Sequence, residues 1–328
     1  MRFGLRIPSF AWPDLTYQDA ESLRAYCQQI DALPFEDIWV IEHLLVAPAV
    51  YGVSWLDPLT VLSFAAAVTE RVGLGTSALV LPLRHPVMLA KEVATLQYLS
   101  RGRFTLGVAA GWDENEFKSM GIPLRERGRR ADEVLDLVWR ILTEDRVDFH
   151  GRYFQVNGVS IYPRCPSPPK LWVAGGSLGH APETPDKPYM ATSVLRRILR
   201  ADGWMCRSSG SDLQMVIEDW GAVQAFLREN GRDPSTLTFG HTQFVHIAET
   251  SSREKALNEQ APHFLRVMGS HRTAEDLAAS YLMGTVEEIQ DRISALAKVG
   301  LEYLILTPVS NDAEQLSGLV KHIVEPFS

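Results

Sequence analysis

His43 is the residue whose type and position most directly suggest chemistry. It follows the apolar run at residues 38–41, which has the character of a buried strand, and an imidazole titrates near neutral pH. We interpret His43 as a general acid or base, or as a hydrogen-bond donor to a bound ring or oxyanion. The alternative is a histidine that only ends the strand. The neighbouring Glu42 would point the opposite way if the strand continued, so we expect it to form a structural ion pair.

A second group of residues has the composition of a loop that binds an anion. Gly175, Gly176 and Ser177 follow the apolar segment KLWVA at residues 170–174. The backbone amides of two glycines and a hydroxyl group can surround a phosphate, so this loop is a candidate phosphate site. A glycine pair is also common in ordinary tight turns, which is the alternative interpretation.

Small side chains follow another strand-like segment, FTLGVA at residues 104–109. Ala109, Ala110 and Gly111 leave room for a flat ligand, although close packing of a strand against a helix needs small residues for the same reason. The motifs of two common enzyme classes are absent from the sequence, which contains no H-E-x-x-H zinc motif and no Walker phosphate loop. We therefore predict no metal site.

The elements that position these residues alternate along the chain between short apolar strands and longer amphipathic helices. This alternation predicts parallel βαβ units. A doubly wound open sheet would have a glycine-rich turn after its first strand, but residues 8–13 read PSFAWP. The sequence therefore favours an α/β fold, the (β/α)8 TIM barrel. The eight predicted strands are Phe3–Ile7, Asp37–Ile41, Arg71–Leu79, Phe104–Ala109, Lys170–Ala174, Gly203–Cys206, Thr238–Ile247 and Tyr303–Thr307.

In such a barrel, catalytic groups lie at the carboxyl ends of the strands, where His43 and the small-residue segments are placed. Two longer connections, 149–169 and 177–192, are rich in proline. We expect them to be insertion segments that act as lids or substrate walls at the C-terminal face. A disordered surface insertion is the alternative. No internal repeat or linker is evident, so residues 1–328 are predicted to form a single domain.

The composition and net charge of the chain indicate which kinds of molecule it is expected to bind. The chain has 328 residues, 46% of them hydrophobic and 22% charged, and a formal net charge of -8. An acidic surface repels a phosphate backbone, so nucleic acid is not an expected partner. No apolar run approaches the ~20 residues that span a bilayer. The N-terminus lacks the pattern of a secretion signal, and the few cysteines are far apart. We expect a soluble protein of the cytoplasm without a membrane partner.

Several segments together resemble the bacterial luciferase-like monooxygenase superfamily, whose members use FMN or the deazaflavin coenzyme F420. The resemblance extends over nearly the whole chain, and the block at residues 72–112 is its most specific part. It implies a TIM barrel with a planar cofactor in its mouth. The matching segments are IWVIEHL at 38–44, VGLGTSALVLPLRHPVMLAKEVATLQYLSRGRFTLGVAAGW at 72–112, GRRADEVLDLVWRIL at 128–142, VDFHGRYF at 147–154, PPKLWVAGGS at 168–177, ADGWM at 201–205 and MGTVEEIQDRI at 283–293.

The resemblance also assigns roles to individual positions. His43 matches the active-site histidine of the superfamily, and residues 175–177 match the loop that contacts the cofactor phosphate. Ser77 and Ala78 match a non-proline cis peptide that lies behind the cofactor ring. One position departs from the pattern, since luciferases carry a phosphate-binding arginine after the fourth strand where this chain has Ala110. The GVAAGW segment is more similar to the deazaflavin branch, so the resemblance favours F420 over FMN.

The function that the resemblance implies is F420-dependent transfer of a hydride to or from a small organic substrate. One alternative is a monooxygenase in which reduced FMN inserts oxygen into such a substrate. Another is a barrel that binds flavin without catalysis. An unrelated barrel lyase or isomerase would normally present a lysine or paired carboxylates at its strand ends.

The resemblance suggests further roles around the substrate. His43 would exchange a proton with a substrate oxygen. Trp12 and Trp112 would form walls of the substrate site, although packing in the core is an equal alternative for both. Barrels of this superfamily are often dimers, so a homodimer is expected.

Overall fold

Eight parallel strands form the centre of the molecule. The computed structural model describes residues 1–47, 50–165, 167–177, 180–181, 184–188, 190–206, 212–269 and 272–328. The strands are β1 (Arg2–Arg6), β2 (Asp37–Val40), β3 (Gly73–Thr76), β4 (Phe104–Ala109), β5 (Lys170–Ala174), β6 (Gly203–Cys206), β7 (Thr238–Val245) and β8 (Tyr303–Pro308). Their order is β5, β6, β7, β8, β1, β2, β3 and β4, and β4 pairs with β5 to close the barrel. The expected TIM-barrel fold is confirmed.

Helices cover the outside of the barrel because each presents an apolar face to the strands. The helices of the described residues are α1 (Tyr17–Ala32), α2 (Pro58–Val68), α3 (Pro86–Leu99), α4 (Glu114–Ser119), α5 (Arg127–Thr143), α6 (Thr192–Ile198), α7 (Leu213–Glu229), α8 (Arg253–Met268), α9 (Ala274–Ser280), α10 (Val286–Val299), α11 (Glu314–Leu319) and α12 (Glu325–Phe327). None of these helices combines the length and the apolar composition that crossing a bilayer requires.

The third strand is shorter than the sequence indicated. It ends at Thr76, and the next two residues, Ser77 and Ala78, are joined by a cis peptide bond, as the resemblance predicted. The chain then pairs with β4 again at Leu79 and Val80. The cis peptide therefore lies at the carboxyl end of β3, where the ladder of hydrogen bonds is interrupted.

Aromatic side chains fill the centre of the barrel. The ring centroids of Trp39 on β2 and Trp172 on β5 are 5.3 Å apart, and Tyr303 on β8 lies 5.2 Å from Trp172. Glycines on neighbouring strands leave room for these rings, since a Cβ on Gly4 or Gly75 would lie 2.4 Å from an atom of Trp39. The barrel is therefore a packed core, and its mouth has an aromatic floor.

The first expected lid, 149–169, connects the end of α5 with the beginning of β5. It includes most of an antiparallel hairpin formed by Val147–His150 and Gln155–Val159. Glu133 of α5 accepts a hydrogen bond from the amide of Phe154 at 3.0 Å, so the hairpin packs on the outside of this helix. Its tip approaches the loop after β3, because the ring of Phe154 lies 5.6 Å from that of His85. The segment borders the barrel from outside, and its role as a lid stays a prediction.

The second expected lid, 177–192, begins at the carboxyl end of β5 and therefore at the mouth of the barrel. Its residues 178, 179, 182, 183 and 189 lie outside the described residues. In the described part, Thr184–Pro188 pairs in antiparallel fashion with His180–Ala181. A role in substrate binding stays a prediction for this segment, as does the assignment of residues 1–328 to one domain.

Candidate active site

A histidine and a glutamate form a buried pair beyond the carboxyl end of β2. Nδ1 of His43 lies 3.3 Å from Oε1 of Glu116, and the two side chains are 8% and 3% exposed. The same carboxylate oxygen accepts hydrogen bonds from the amides of Leu44 at 2.8 Å and Leu45 at 3.3 Å. Glu116 therefore connects α4 with the loop after β2 and holds the ring of His43 in place.

Helix α4 presents Glu116 because the loop after β4 ends in a capping residue. Oδ1 of Asp113 accepts hydrogen bonds from the amides of Asn115 at 2.8 Å and Glu116 at 3.3 Å, which starts the helix. Glu116 and Phe117 are the buried residues of this short helix. The burial of Phe117 keeps the neighbouring carboxylate turned towards His43.

The electrostatics of the pair define which nitrogen of His43 is available. Burial alone would raise the pKa of Glu116, but the hydrogen bond and charge of His43 and the two loop amides lower the pKa below its ordinary value. Glu116 is then a carboxylate at neutral pH and only accepts hydrogen bonds, so Nδ1 of His43 carries a hydrogen. Nε2, on the other side of the ring, is the nitrogen that can take up or release a proton. This arrangement is that of a general acid or base oriented by a carboxylate.

Aromatic rings surround His43. The ring centroids of Tyr51 and Trp112 lie 5.1 Å and 5.7 Å from that of the imidazole, both edge to face. Trp112 is 51% exposed, so it presents a face to an incoming molecule. Trp12 packs against the apolar cluster that contains Tyr51, with its ring centroid 3.9 Å from Cζ of Arg266. Trp112 therefore lies beside the candidate acid or base, whereas the role of Trp12 as a substrate wall has no such contact to support it.

The mouth of the barrel is open above three small residues on adjacent strands. Ala78, Ala109 and Ala174 are each partly exposed, although each follows buried residues of β3, β4 or β5. Ala78 and Ala174 pack against the aromatic floor. Alanine projects only a methyl group from the backbone, so these three positions form a surface without large side chains, which we call the flat surface. Such a surface leaves room for a planar ring system.

Ala110 and Gly111, which follow Ala109, differ in how they pack. Ala110 is partly exposed and packs against the main core of the barrel. Gly111 has a φ of 76°, and a Cβ there would lie 2.5 Å from Val80 and 2.8 Å from Phe117. Close packing of backbone against side chains therefore accounts for Gly111. Contact with a cofactor stays a prediction for all three residues.

The backbone of the loop after β5 is held by hydrogen bonds with side chains from β6 and α7. Nε1 of Trp204 donates to the carbonyl oxygen of Gly175 at 2.7 Å. The amide of Ser177 donates to both carboxylate oxygens of Asp219, at 3.2 and 3.1 Å, and Asp219 is 2% exposed. A buried carboxylate thus contacts one of the amides assigned to a phosphate. Gly175, Gly176 and Ser177 stay a predicted phosphate loop, in which an anion has to share or replace this contact.

Arg6, at the end of β1, reaches the cis peptide from the inside of the barrel. Its Nε donates to the hydroxyl of Ser77 and its Nη2 donates to the carbonyl oxygen of Ser77, both at 2.9 Å. Cζ of Arg6 lies 5.9 Å from the ring centroid of Phe244. A charged side chain therefore lies inside the barrel beside the residues that form the open surface.

Sequence reasoning overlooked Arg6 and Glu116, although each had a signal. Side chains alternate along a strand, and Phe3 and Leu5 of β1 pack in the core beneath the helices. The same alternation places Arg6 inside the barrel, at the carboxyl end where catalytic groups lie. Glu116 comes seven residues after the end of β4, also at that face.

The interpretation of Glu42 as an ion-pair partner is confirmed. Nε of Arg84 lies 3.0 Å from Oε1 of Glu42, and Nη2 of Arg84 lies 2.8 Å from Oδ2 of Asp57. Burial raises the pKa of Glu42, against the opposing effect of Arg84. Within the described residues, no three His, Cys, Asp or Glu side chains are grouped so that they could hold a metal ion.

Several known proteins are similar to this chain in sequence or in fold. A family model for luciferase-like monooxygenases matches residues 1–185. Limonene 1,2-monooxygenase of Rhodococcus erythropolis is 23% identical over 308 residues, 94% of this chain and 74% of that protein. An F420-dependent glucose-6-phosphate dehydrogenase of Beutenbergia cavernae is 34% identical over 207 residues, 60% of this chain and 55% of that enzyme.

The extent of these similarities differs between sequence and fold. With the first curated relatives, from Mycobacterium bovis and Mycobacterium tuberculosis, the match spans about half of the relative, 49% of its length. The crystal structure of the monooxygenase RslO1 from Streptomyces bottropensis has a TM-score of 0.80, with 22% identity and 100% of both chains covered. At this identity the structural likeness concerns the fold.

Proposed function

The chain belongs to the luciferase-like monooxygenase family and is an enzyme, and we propose that it is an F420-dependent oxidoreductase acting on a small organic substrate. The observation that carries the proposal is the flat surface of Ala78, Ala109 and Ala174, which are partly exposed at or just beyond the carboxyl ends of three adjacent strands. Ala78 and Ala174 pack on the aromatic floor. The relatives include F420-dependent dehydrogenases and monooxygenases. They support an oxidoreductase over the alternatives of a non-catalytic barrel, a lyase or an isomerase.

The residues present suit a planar ring better than a strongly held phosphate. The alanines after β3 and at the ends of β4 and β5 would contact the ring, with the peptide between Ser77 and Ala78 behind it. The position of the phosphate-binding arginine of luciferases is occupied by Ala110, which is the reason for preferring F420 over FMN. The predicted phosphate loop, 175–177, offers backbone amides, one of which already contacts Asp219.

The bound cofactor would supply the redox step, as hydride exchange with F420 or as oxygen activation with FMN. His43 would hold or move one proton at Nε2, because Glu116 occupies its other nitrogen. Trp112 and Tyr51 would exclude water from this nitrogen and orient an apolar part of the substrate. Trp12 is a more distant candidate for the same wall.

An FMN-dependent monooxygenase is the second candidate function. It is favoured by the similarity to limonene 1,2-monooxygenase, which extends over 94% of this chain. The same flat surface and the same histidine would serve it. The two functions therefore differ in the cofactor rather than in the architecture of the mouth.

Titration of the protein with F420 and with FMN, each oxidised and reduced, tests the proposal. We expect F420 to quench or shift its fluorescence on binding, with a Kd at least about tenfold lower than that of FMN, a difference of ~1.4 kcal/mol. Equal or tighter binding of FMN would support the monooxygenase. If neither cofactor binds at concentrations of about 1 mM, the proposed function is wrong.

Two further features belong to the proposal. A homodimer in the cytoplasm is expected from the superfamily, with small molecules as its ligands and without nucleic acid or membrane partners. Sedimentation equilibrium of the purified protein measures the oligomeric state directly. A monomer at micromolar concentration would contradict the homodimer and leave the cofactor proposal unaffected.

A further inference from the structure

Arg6 lacks the partners that a buried arginine usually has. Its side chain is 3% exposed, and one edge of the guanidinium, formed by Nε and Nη2, is bound to Ser77. Nη1 lies on the opposite edge, is buried, and has no hydrogen-bond partner in the described part of the chain. Arg6 therefore enters the mouth with unused donor capacity, since a guanidinium has five N–H groups.

The charge of Arg6 is not neutralised by its described neighbours. Burial lowers the pKa of Arg6 to about 10, and the interaction with Tyr51 opposes this shift, so the guanidinium is still protonated at neutral pH. The ring of Phe244, whose centroid lies 5.9 Å from Cζ of Arg6, is uncharged. The titratable side chain of His43 contacts Tyr51, with the two ring centroids 5.1 Å apart. A buried cation without a carboxylate destabilises the folded chain, so its retention requires a compensating negative charge.

The position of Arg6 indicates where that negative charge belongs. Arg6 donates to the carbonyl oxygen of the peptide bond between Ser77 and Ala78. In the proposed function, this peptide lies behind the ring of the cofactor. Both candidate rings are weak acids, because reduced flavin loses a proton from its pyrimidine part and oxidised deazaflavin loses one from its ring hydroxyl. In each anion the negative charge is delocalised over the ring.

We propose that Arg6 is a positioning residue of the cofactor site, which stabilises the negatively charged form of the ring that lies against Ser77 and Ala78. The inference rests on the proposed function, since it needs a ring at that surface. Two charges about 8 Å apart at an effective dielectric constant of about 20 change an ionisation equilibrium by more than tenfold. A contact between Arg6 and the ring is therefore unnecessary.

The experiment measures the ionisation of the bound ring rather than turnover. With F420, the absorption spectrum of the saturated protein between about pH 5 and 8 gives the ionised fraction of the ring. With FMN, the ratio of the Kd of the oxidised form to that of the anaerobically reduced form gives the same preference. We expect the wild-type protein to favour the anion about tenfold over the cofactor in solution. Arg6→Met should remove this preference, and Arg6→Lys should keep most of it.

A matched control separates the charge at this position from the loss of any arginine that donates hydrogen bonds to backbone carbonyl groups. Arg103, at the other end of the barrel, donates to the carbonyl oxygens of Val72 at 2.6 Å and Thr69 at 2.9 Å. Arg103→Met also removes one positive charge, and we expect ring ionisation to stay as in the wild type. Thermal unfolding of each variant without cofactor shows whether it folds.

The outcomes distinguish the inference from the function on which it rests. If neither cofactor binds the wild-type protein, both fail. If a cofactor binds but its ring ionises as in solution, or ionises equally in wild type and Arg6→Met, the inference alone is overturned. If Arg6→Met does not fold, the test uses the wild type and Arg6→Lys. A preference for the anion in both supports the inference, and its absence in the wild type overturns the inference.

Discussion

Nδ1 of His43 and Oε1 of Glu116, which are 73 positions apart in the sequence, lie 3.3 Å from each other at the mouth of the barrel. The contact joins the loop after β2 to helix α4. It leaves one nitrogen of the imidazole for proton exchange and sets its direction. The pair therefore leads to two tests, one for each partner.

Replacement of His43 should slow the chemical step without weakening cofactor binding. His43→Ala removes the group that exchanges a proton, and loss of a general acid or base typically lowers kcat by ~10²–10⁴. His43→Gln keeps a hydrogen-bond donor and should recover part of the rate if orientation matters. Single-turnover reoxidation of the reduced cofactor with enones, imines and oxygen provides the measurement. His150→Ala, at an exposed hairpin position, is the matched control. Rates of His43→Ala equal to the wild type in every reaction would make His43 structural.

Replacement of Glu116 should change how stability depends on pH. Its pKa is below the ordinary value in the folded chain, so the carboxylate stabilises the fold above that ordinary value and loses this contribution as the pH falls. At pH 7, Glu116→Gln should reduce the free energy of unfolding by about 1 kcal/mol, because hydrogen bonds to a charged group exceed neutral ones. The difference should vanish between about pH 5 and 3. Urea unfolding at each pH measures it, with exposed Glu114→Gln as control. A pH-independent difference would contradict the argument.

Introduction of an arginine after β4 should shift the cofactor preference. Ala110→Arg restores the residue type that luciferases carry there, and a charge-assisted contact to phosphate should improve FMN binding about tenfold relative to F420, or ~1.4 kcal/mol. Ala110→Met adds length without charge and controls for steric effects. Fluorescence titrations with both cofactors give the ratio. An unchanged ratio in Ala110→Arg would show that position 110 does not meet the phosphate.

A larger side chain on the flat surface should block the cofactor. Ala109→Leu fills space that is partly exposed at the mouth, so it should leave the melting temperature near that of the wild type. Cofactor affinity should fall at least about a hundredfold, since a ring and a leucine side chain cannot occupy one volume. Ala222→Leu, on the exposed side of α7, is the matched control. Undiminished binding in Ala109→Leu would place the ring elsewhere.

A methyl group inside the barrel should destabilise the fold. A Cβ at Gly75 would lie 2.4 Å from the ring of Trp39, whereas a Cβ at Gly221 in α7 meets nothing within 4 Å. Gly75→Ala should therefore lower the free energy of unfolding by about 1–3 kcal/mol. Gly221→Ala should raise it by up to about 1 kcal/mol, because alanine favours a helix. Equal stability of the two variants would show that the interior yields more easily than the packing suggests.

The fold could be read from the sequence because strand composition and spacing are local properties. All eight strands lie where the alternation placed them, and β4, β5 and β6 have the expected bounds. The hairpin beside α5 was missed because its two strands are short and it packs on an outer helix rather than in the barrel. From its prolines alone, the sequence predicts a loop near the mouth for this segment.

Only part of the candidate active site could be predicted from strand composition and spacing. His43 and Trp112 were found because each follows a recognisable strand. Glu116 was missed because its role depends on a contact between distant segments, which a sequence pattern does not contain. Arg6 was missed for a different reason. It is the last residue of β1, and a charged residue at the end of a strand is usually interpreted as exposed to solvent, whereas Arg6 is buried. The contact of Ser177 with Asp219 likewise depends on how α7 packs.

The aromatic floor formed by Trp39, Trp172 and Tyr303 makes the mouth a blind pocket. Molecules that bind above it therefore arrive and depart on the side of the carboxyl ends of the strands. Whichever molecule lies deepest must associate first and dissociate last. We therefore expect a compulsory order of binding, with the ring seated before the substrate. Competitive inhibition of the fresh cofactor by the spent cofactor, together with inhibition by the substrate's product that is competitive against neither, is the kinetic signature of that order.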